Sequence, residues 1–238
     1  MPSPIVTPHL LMNSQQKNSV LVIAAHPDDE VLGCGGTVAL HRKNGDDVCT
    51  VVVCEGSSLR GVDQGQGDDH HLFAASRELG VEDVRHLGLP DQRLDTMTLT
   101  DIITPLEEVV RDVRPNIVYC QHGGDVNIDH TILFKAALVA VRPTELYIDV
   151  VYAFEAASST EWAHPRVFVP DTFVDISSTL EQKLRAMNCY KSELRDYPHP
   201  RSLEALRHRA HSWGNQNCLD AAEAFMTVRR IARGGRTP

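Results

Sequence analysis

Residues 20–45 read VLVIAAHPDDEVLGCGGTVALHRKNG, and the fold turns on them. An apolar run leads straight into His26-Pro27-Asp28-Asp29-Glu30, and a glycine-rich segment then opens onto a helical pattern. A short continuous apolar run of this kind reads as a strand buried on both faces. Three adjacent acids and a histidine at the end of such a strand are costly unless something compensates their charge.

Four more strand-like runs follow, at 48–54, 84–89, 116–121 and 147–154. Helical patterns lie between them at 34–43, about 70–79, 101–113 and 130–141. The alternation predicts an α/β fold: a Rossmann-like, doubly wound, mostly parallel sheet with helices on both faces. The C-terminal third is less regular and is expected to form an extension of the same domain. VFVPDTFVDISS (167–178) suggests two short strands flanking a Pro-Asp turn, and residues 178–194 carry a helical pattern. After a proline-broken loop a second helix follows, and AEAFMTVRR (222–230) reads as a short edge element. Residues 1–19, with three prolines, are expected to be a flexible arm, leaving 20–238 as one domain.

The composition excludes several classes. Net charge is −9, from 23 basic and 32 acidic residues, and no Lys/Arg run is present. That argues against a nucleic-acid partner. No apolar run reaches the ~18 residues of a membrane helix. The N-terminus lacks the basic and apolar regions of a secretory signal. Six scattered cysteines without a C-x-x-C pair read as reduced thiols of a cytoplasmic protein.

In a doubly wound sheet, ligands sit beyond the carboxyl ends of the strands, where the strand order reverses. With the first strand central and the fourth beside it, HPDDE (26–30) and HGGDVNIDH (122–130) meet in one crevice. His26 and Asp29, spaced i, i+3 around the stiff Pro27, suit a first-row metal, and His130 supplies a third donor. Two histidines and one aspartate leave coordination positions open, a catalytic rather than a structural pattern. Asp28, between the ligands in sequence, is placed to be the general base, and Glu30 to support the turn. A dication would compensate the charge of the cluster. The glycines of LGCGGT (32–37) do not follow the dinucleotide spacing, and the acids before them would repel a pyrophosphate. Gly33, Gly35 and Gly36 are expected instead to allow close helix–strand packing and leave room for a substrate. The polar stretch 56–71 is a substrate-gripping loop or a plain connector.

AAHPDDEVLGCGGT (24–37) strongly resembles the signature of the PIG-L/LmbE-like zinc-dependent N-deacetylases. DVNIDHTILFKAAL (125–138) resembles that family's second metal motif. The likeness continues through ELGVEDVRHLGLPDQRLD (78–95), SSTEW (158–162) and SELRDYPHPRS (192–202), spanning roughly residues 20–228. The resemblance implies removal of an acyl group from N-acylated amino sugars and their conjugates, usually N-acetylglucosamine derivatives. It implies Zn2+, or another divalent first-row metal, on His26, Asp29 and His130, with Asp28 as base.

The chain departs from the family at Asn127, where many members carry an oxyanion-stabilising histidine three residues before the last ligand. The positive helper must then come from His122, His199 or Arg201, or the metal must carry more of the charge. Asp125 and Asp129 are candidates to fix histidine tautomers or to cap loops. Arg60 resembles a family position that grips the sugar or an attached acid. Asp91 is a candidate for sugar hydroxyls, and Glu155 for a contact at the end of strand five. The expected function is therefore a metal-dependent hydrolase of N-acetylated amino sugars, free or linked to a nucleotide, lipid or glycoside. Two alternatives stand beside it: a sugar-binding protein without turnover, and an amide hydrolase for another acyl group such as formyl. A base beside the metal favours turnover, since a binder has no need of one.

Overall fold

The computed structural model describes residues 17–56, 69–165 and 167–232. Five strands, β1 Ser19–Ala24, β2 Asp47–Cys54, β3 Asp83–Leu89, β4 Ile117–Gln121 and β5 Val150–Phe154, pair in parallel. They match the five apolar runs to within three residues at each end. With β6 Thr172–Asp175 and β7 Ala222–Arg230 they form one sheet of order β3-β2-β1-β4-β5-β7-β6. β1 is central, and the order reverses between β1 and β4, as expected from the paired acidic loops.

Strand β1 shows why the sheet is covered on both sides. Val20, Val22 and Ala24 enter one core with helices α1 Asp29–Lys43, α2 Asp69–Leu79, α5 Leu180–Met187 and α6 Leu203–Asn215. Leu21, Ile23 and Ala25 enter a second core with α3 Leu99–Val113 and α4 Ile128–Ala140. The alternation of side chains along a strand sends each set to its own face.

Four expectations are corrected. Helix α1 starts at Asp29 rather than 34, so the acids form its first turn. The 222–230 segment is a nine-residue interior strand, antiparallel to both β5 and β6, and not an edge. Of the two strands expected around the Pro-Asp turn only β6 forms, since Pro170 has no N–H to give a ladder. The helix expected over 178–194 is shorter, ending at Met187. Residues 1–16 of the expected arm lie outside the described residues, while Asn18 hydrogen-bonds Asp46 and Ser19 opens β1.

Helix α1 is broken, and the break carries the glycines. Cys34 has non-helical φ/ψ of −141° and 17°. A Cβ on Gly33 would fall 2.1 Å from the Phe154 ring, and one on Gly36 would fall 2.8 Å from Ile176. The expected close packing is therefore present, against β5 and the turn before α5. The groups freed at the break are satisfied by a buried ion pair. Glu223 of β7 accepts from the N–H groups of Gly36 at 2.9 Å and Thr37 at 2.7 Å. Lys183 of α5 donates to the carbonyl of Leu32 at 2.9 Å and to Glu223 at 2.5 Å. The carboxylate thus caps the start of the second half-helix and the ammonium caps the end of the first.

Removing one member would strand a buried charge. Lys183→Met is expected to lower unfolding stability by about 3–5 kcal/mol, measured by urea denaturation, with Lys183→Met/Glu223→Gln recovering most of the loss. A loss of about 1 kcal/mol or less, the size of a surface pair, would show that the break does not depend on this pair.

Candidate active site

The loops after β1 and β4 converge as N-termini of α1 and α4. His26 Nδ1 lies 3.1 Å from Asp29 Oδ2 and 3.2 Å from His130 Nε2, and the third side of the triangle is 3.3 Å. Donors about 2.1 Å from a first-row dication stand about 3.0 Å apart in an octahedral shell and about 3.4 Å apart in a tetrahedral one. The triangle fits such an ion. Asp29 Oδ1 is buried with no hydrogen-bond partner, a further sign that this carboxylate is built for a cation.

Each imidazole has a carboxylate behind it. His26 Nε2 lies 3.0 Å from Asp129 Oδ2, and His130 Nδ1 lies 3.2 Å from Asp125 Oδ2. Asp129 is held in turn by the N–H of Leu94 at 3.0 Å. Asp125 accepts from Thr160 at 2.6 Å, from the Ser159 hydroxyl and from the N–H of Asn127 at 2.8 Å. At His26 the Asp129 carboxylate fixes which ring nitrogen carries the proton, while Asp125 lies beside His130 Nδ1 at ion-pair distance without a hydrogen bond.

Asp28 is the N-cap residue of α1, with φ of 111°. That conformation costs an ordinary side chain of order 1–3 kcal/mol and persists only where the surroundings impose it. Here its N–H donates to Glu30 Oε2 at 3.0 Å, and its carboxylate receives Arg201 at 2.9 Å. Glu30 also accepts from the Tyr190 hydroxyl at 2.5 Å. Its position supports the turn, as expected.

Burial pushes the Asp28 carboxyl well above the usual range, with Arg201 opposing. Glu30 is pushed up to about 7 by burial, with Tyr190 opposing. Asp29 goes the other way: burial raises it, but the His130 and His26 imidazoles outweigh that and hold it well below. Burial disfavours charge on the imidazoles, yet the carboxylates dominate. Asp129 and Asp29 raise His26 well above its ordinary value, and Asp29 and Asp125 raise His130 to about 9.

A cleft of about 480 Å³, including solvent at its mouth, is lined by His26, Asp28, Asp91, Gln92, Asn127, Tyr190, Glu193 and Arg201. Asn127 caps α4 by accepting from Asp129 N–H at 2.9 Å, and its amide lies 3.3 Å from Gln92 Oε1. Arg201 spans Asp28, Glu193 at 2.9 Å and Ser158 at 2.8 Å. Of the three candidate cationic helpers, Arg201 alone lines the cleft. His199 accepts the Arg201 backbone N–H at 3.1 Å. His122 packs near Phe168 and Phe134, and burial lowers its pKa. Glu155 is turned away from the cleft, paired with Arg209 at 2.8 Å and Trp213 at 2.7 Å. Arg60, and all but the ends of the 56–71 loop, lie outside the described residues.

Gln92, Tyr190 and Glu193 are cleft residues that the sequence reading passed over. Gln92 follows Pro90-Asp91 at the carboxyl end of β3, where a ligand loop belongs, so its position was a usable signal. Tyr190 and Glu193 reach the cleft only because the chain beyond α5 folds back, and no local pattern marks that.

The arrangement is one that could hold a metal ion beside a cleft: a triangle of nitrogen and carboxylate donors with a buried acid next to it. The family described as PIG-L: GlcNAc-PI de-N-acetylase matches residues 21–141, and the chain belongs to that family. It is 32% identical over 190 residues to the uncharacterized deacetylase YaiS of Escherichia coli K12, covering 77% of this chain and 96% of that one. It is 28% identical over 203 residues to a probable N-acetyl-alpha-D-glucosaminyl L-malate deacetylase 2 of Bacillus subtilis, covering 74% and 84%. The crystal structure of GalB, the 4-carboxy-2-hydroxymuconate hydratase of Pseudomonas putida KT2440, superposes with a TM-score of 0.74 at 23% identity, covering 92% of this chain and 100% of that one. One fold thus serves more than one reaction, and the site must decide between them. No helix among the described residues is long and apolar enough to cross a membrane.

Metal ligation requires neutral imidazoles, and without metal both are held protonated at neutral pH. Adding one equivalent of zinc to metal-free protein at pH 7 is expected to release roughly two protons, read with an indicator dye in weak buffer. Affinity should fall as pH drops and rise with pH up to about 9, where His130 loses its proton. Binding without proton release would place the ion elsewhere.

Proposed function

We propose that the protein is a metal-dependent N-deacetylase of an N-acetylated amino sugar or its conjugate, with zinc as its ion. The observation that carries this is the triangle of His26 Nδ1, Asp29 Oδ2 and His130 Nε2 with edges of 3.1–3.3 Å, opening on the cleft that Asp28 lines. The family and the deacetylases among its members supply the reaction class.

A dication held there supplies Lewis acidity, polarising an amide carbonyl and making water a better nucleophile. Asp28 accepts the proton of the attacking water as the carbon–oxygen bond forms. The tetrahedral intermediate then loses its carbon–nitrogen bond, and the proton on Asp28 passes to the leaving amine. Arg201, 2.9 Å from Asp28 Oδ2, opposes the effect of burial and so favours the ionised form of the base. It also brings to the cleft the positive charge that Asn127 cannot carry. Asn127 offers a neutral amide donor at the rim, and Asp91 and Glu193 are acceptors suited to sugar hydroxyls. Asp129 holds His26 in the tautomer that ligation needs, and Asp125 lies beside His130 Nδ1.

The decisive assay is acetate release from a panel of free N-acetylated sugars, nucleotide sugars and glycosides, with N-formyl counterparts and an unsaturated tricarboxylate for hydration. Release is expected from zinc-loaded and not from metal-stripped protein. Asp28→Asn should lower kcat by about 10²–10⁴ with metal stoichiometry unchanged. Full turnover by Asp28→Asn would remove the base assignment, and hydration without acetate release would replace the reaction.

A further inference from the structure

His26 stands between two sets of donors, one at each ring nitrogen. Nδ1 faces Asp29 and His130, the set assigned above to the metal. Nε2 lies 3.0 Å from Asp129 Oδ2 and 3.3 Å from Asp91 Oδ1. Cys54 Sγ lies 3.8 Å from that same Asp129 oxygen, and the imidazole, thiol and Asp129 carboxylate present ligand atoms within 4.8 Å of one another. Cys54 and Asp129 are fully buried, and Asp91 is 4% exposed.

A nitrogen that only orients a metal-bound imidazole needs one acceptor for its one N–H. Nε2 has two carboxylates within reach. It is also 3.1 Å from the amide nitrogen of Gln92, a donor that calls for a lone pair on Nε2 and not a proton. The surroundings of this atom therefore serve both the protonated and the lone-pair state.

We propose that His26 Nε2, Asp129, Cys54 and Asp91 form a second metal site for thiophilic dications such as zinc, and that its occupation withdraws His26 from the first. The donors are those of a zinc site, imidazole, thiolate and carboxylate. A neutral imidazole has a single in-plane lone pair, so it ligates one ion at a time. When an ion enters the second set, the Cys54 thiol loses its proton to solvent and the sulfur binds as thiolate. The ring proton of His26 leaves Nε2 and is replaced at Nδ1, where Asp29 Oδ2 at 3.1 Å accepts it. Asp29 and His130 then remain as two donors, one short of the first set. The consequence is inhibition by excess zinc or cadmium, and none by magnesium or manganese, which bind sulfur poorly.

The proposal rests on the Nδ1 set being the metal centre, and its test is read without substrate. Metal-stripped protein carrying Cys189→Ser and Cys218→Ser, which removes the described thiols that are not buried, is titrated with cobalt(II). The first equivalent is expected to show ligand-field bands alone. The second adds a thiolate-to-cobalt charge-transfer band in the near ultraviolet. Cys54→Ser should abolish that band, and Asp91→Asn, a second variant should the first not fold, should weaken the second equivalent by about tenfold or more. His130→Ala should lose the first equivalent and keep the thiolate band. In the hydrolytic assay, the zinc inhibition constant of Cys54→Ser should rise about tenfold or more. A first equivalent that binds with no thiolate band at any cobalt concentration overturns the second site, as does a band that persists in Cys54→Ser. A first equivalent that survives His130→Ala unchanged overturns the reading of the primary centre instead.

Discussion

Asp28, Asp29 and Glu30 are each no more than 2% exposed, and burying three consecutive acids is the constraint from which the site follows. Charge of this density inside a protein must be neutralised, paired or shared with a cation. Each acid has its own answer. Asp29 lies against two imidazoles, Asp28 against Arg201, and Glu30 accepts from Tyr190 while rising toward neutrality. The first turn of α1 also places all three where the helix dipole favours negative charge. The compensating groups come from α4, from the chain beyond α5 and from the residue before the N-cap of α6. Distant parts of the fold are thus recruited by one stretch of sequence.

The sheet could be read from the chain because parallel strands buried on both faces are continuous apolar runs, and nothing else in this sequence looks like them. The pairing of the HPDDE and HGGDVNIDH loops followed from the strand order that such runs adopt. The start of α1 could not be read. Residues 29–39 are buried on every side, so the helix has no polar face and no amphipathic period, and its acids and glycines resemble a loop. The interior place of β7 leaves no local mark, because its neighbours are chosen by pairing with residues tens of positions away. The same holds for Arg201. Its rank above His122 and His199 comes from closure of the chain over the cleft, and local pattern carries no trace of that.

The boundary between fold and site is not where the family match ends. Residues 21–141 carry the donor triangle and Asp28, yet Arg201, Glu193 and Tyr190 lie beyond them. The shared segment holds the donor triangle and Asp28, and the later segment sets Arg201 against Asp28 and walls the cleft. A fold that also carries a hydratase can change its reaction by altering this wall while keeping the strands and their loops.

The spliced helix α1 has a consequence for the order in which the molecule can be built. Lys183 and Glu223 close a gap near the start of the chain, and Glu223 belongs to the strand that sits between β5 and β6. During synthesis the first four βα units leave the ribosome long before residue 223, with the break in α1 unsatisfied and one flank of β5 open. Until β7 inserts, the nascent domain exposes an unpaired strand edge of the kind that invites association with other chains. The vectorial passage from β5 to β7 is therefore the interval in which this protein most needs protection.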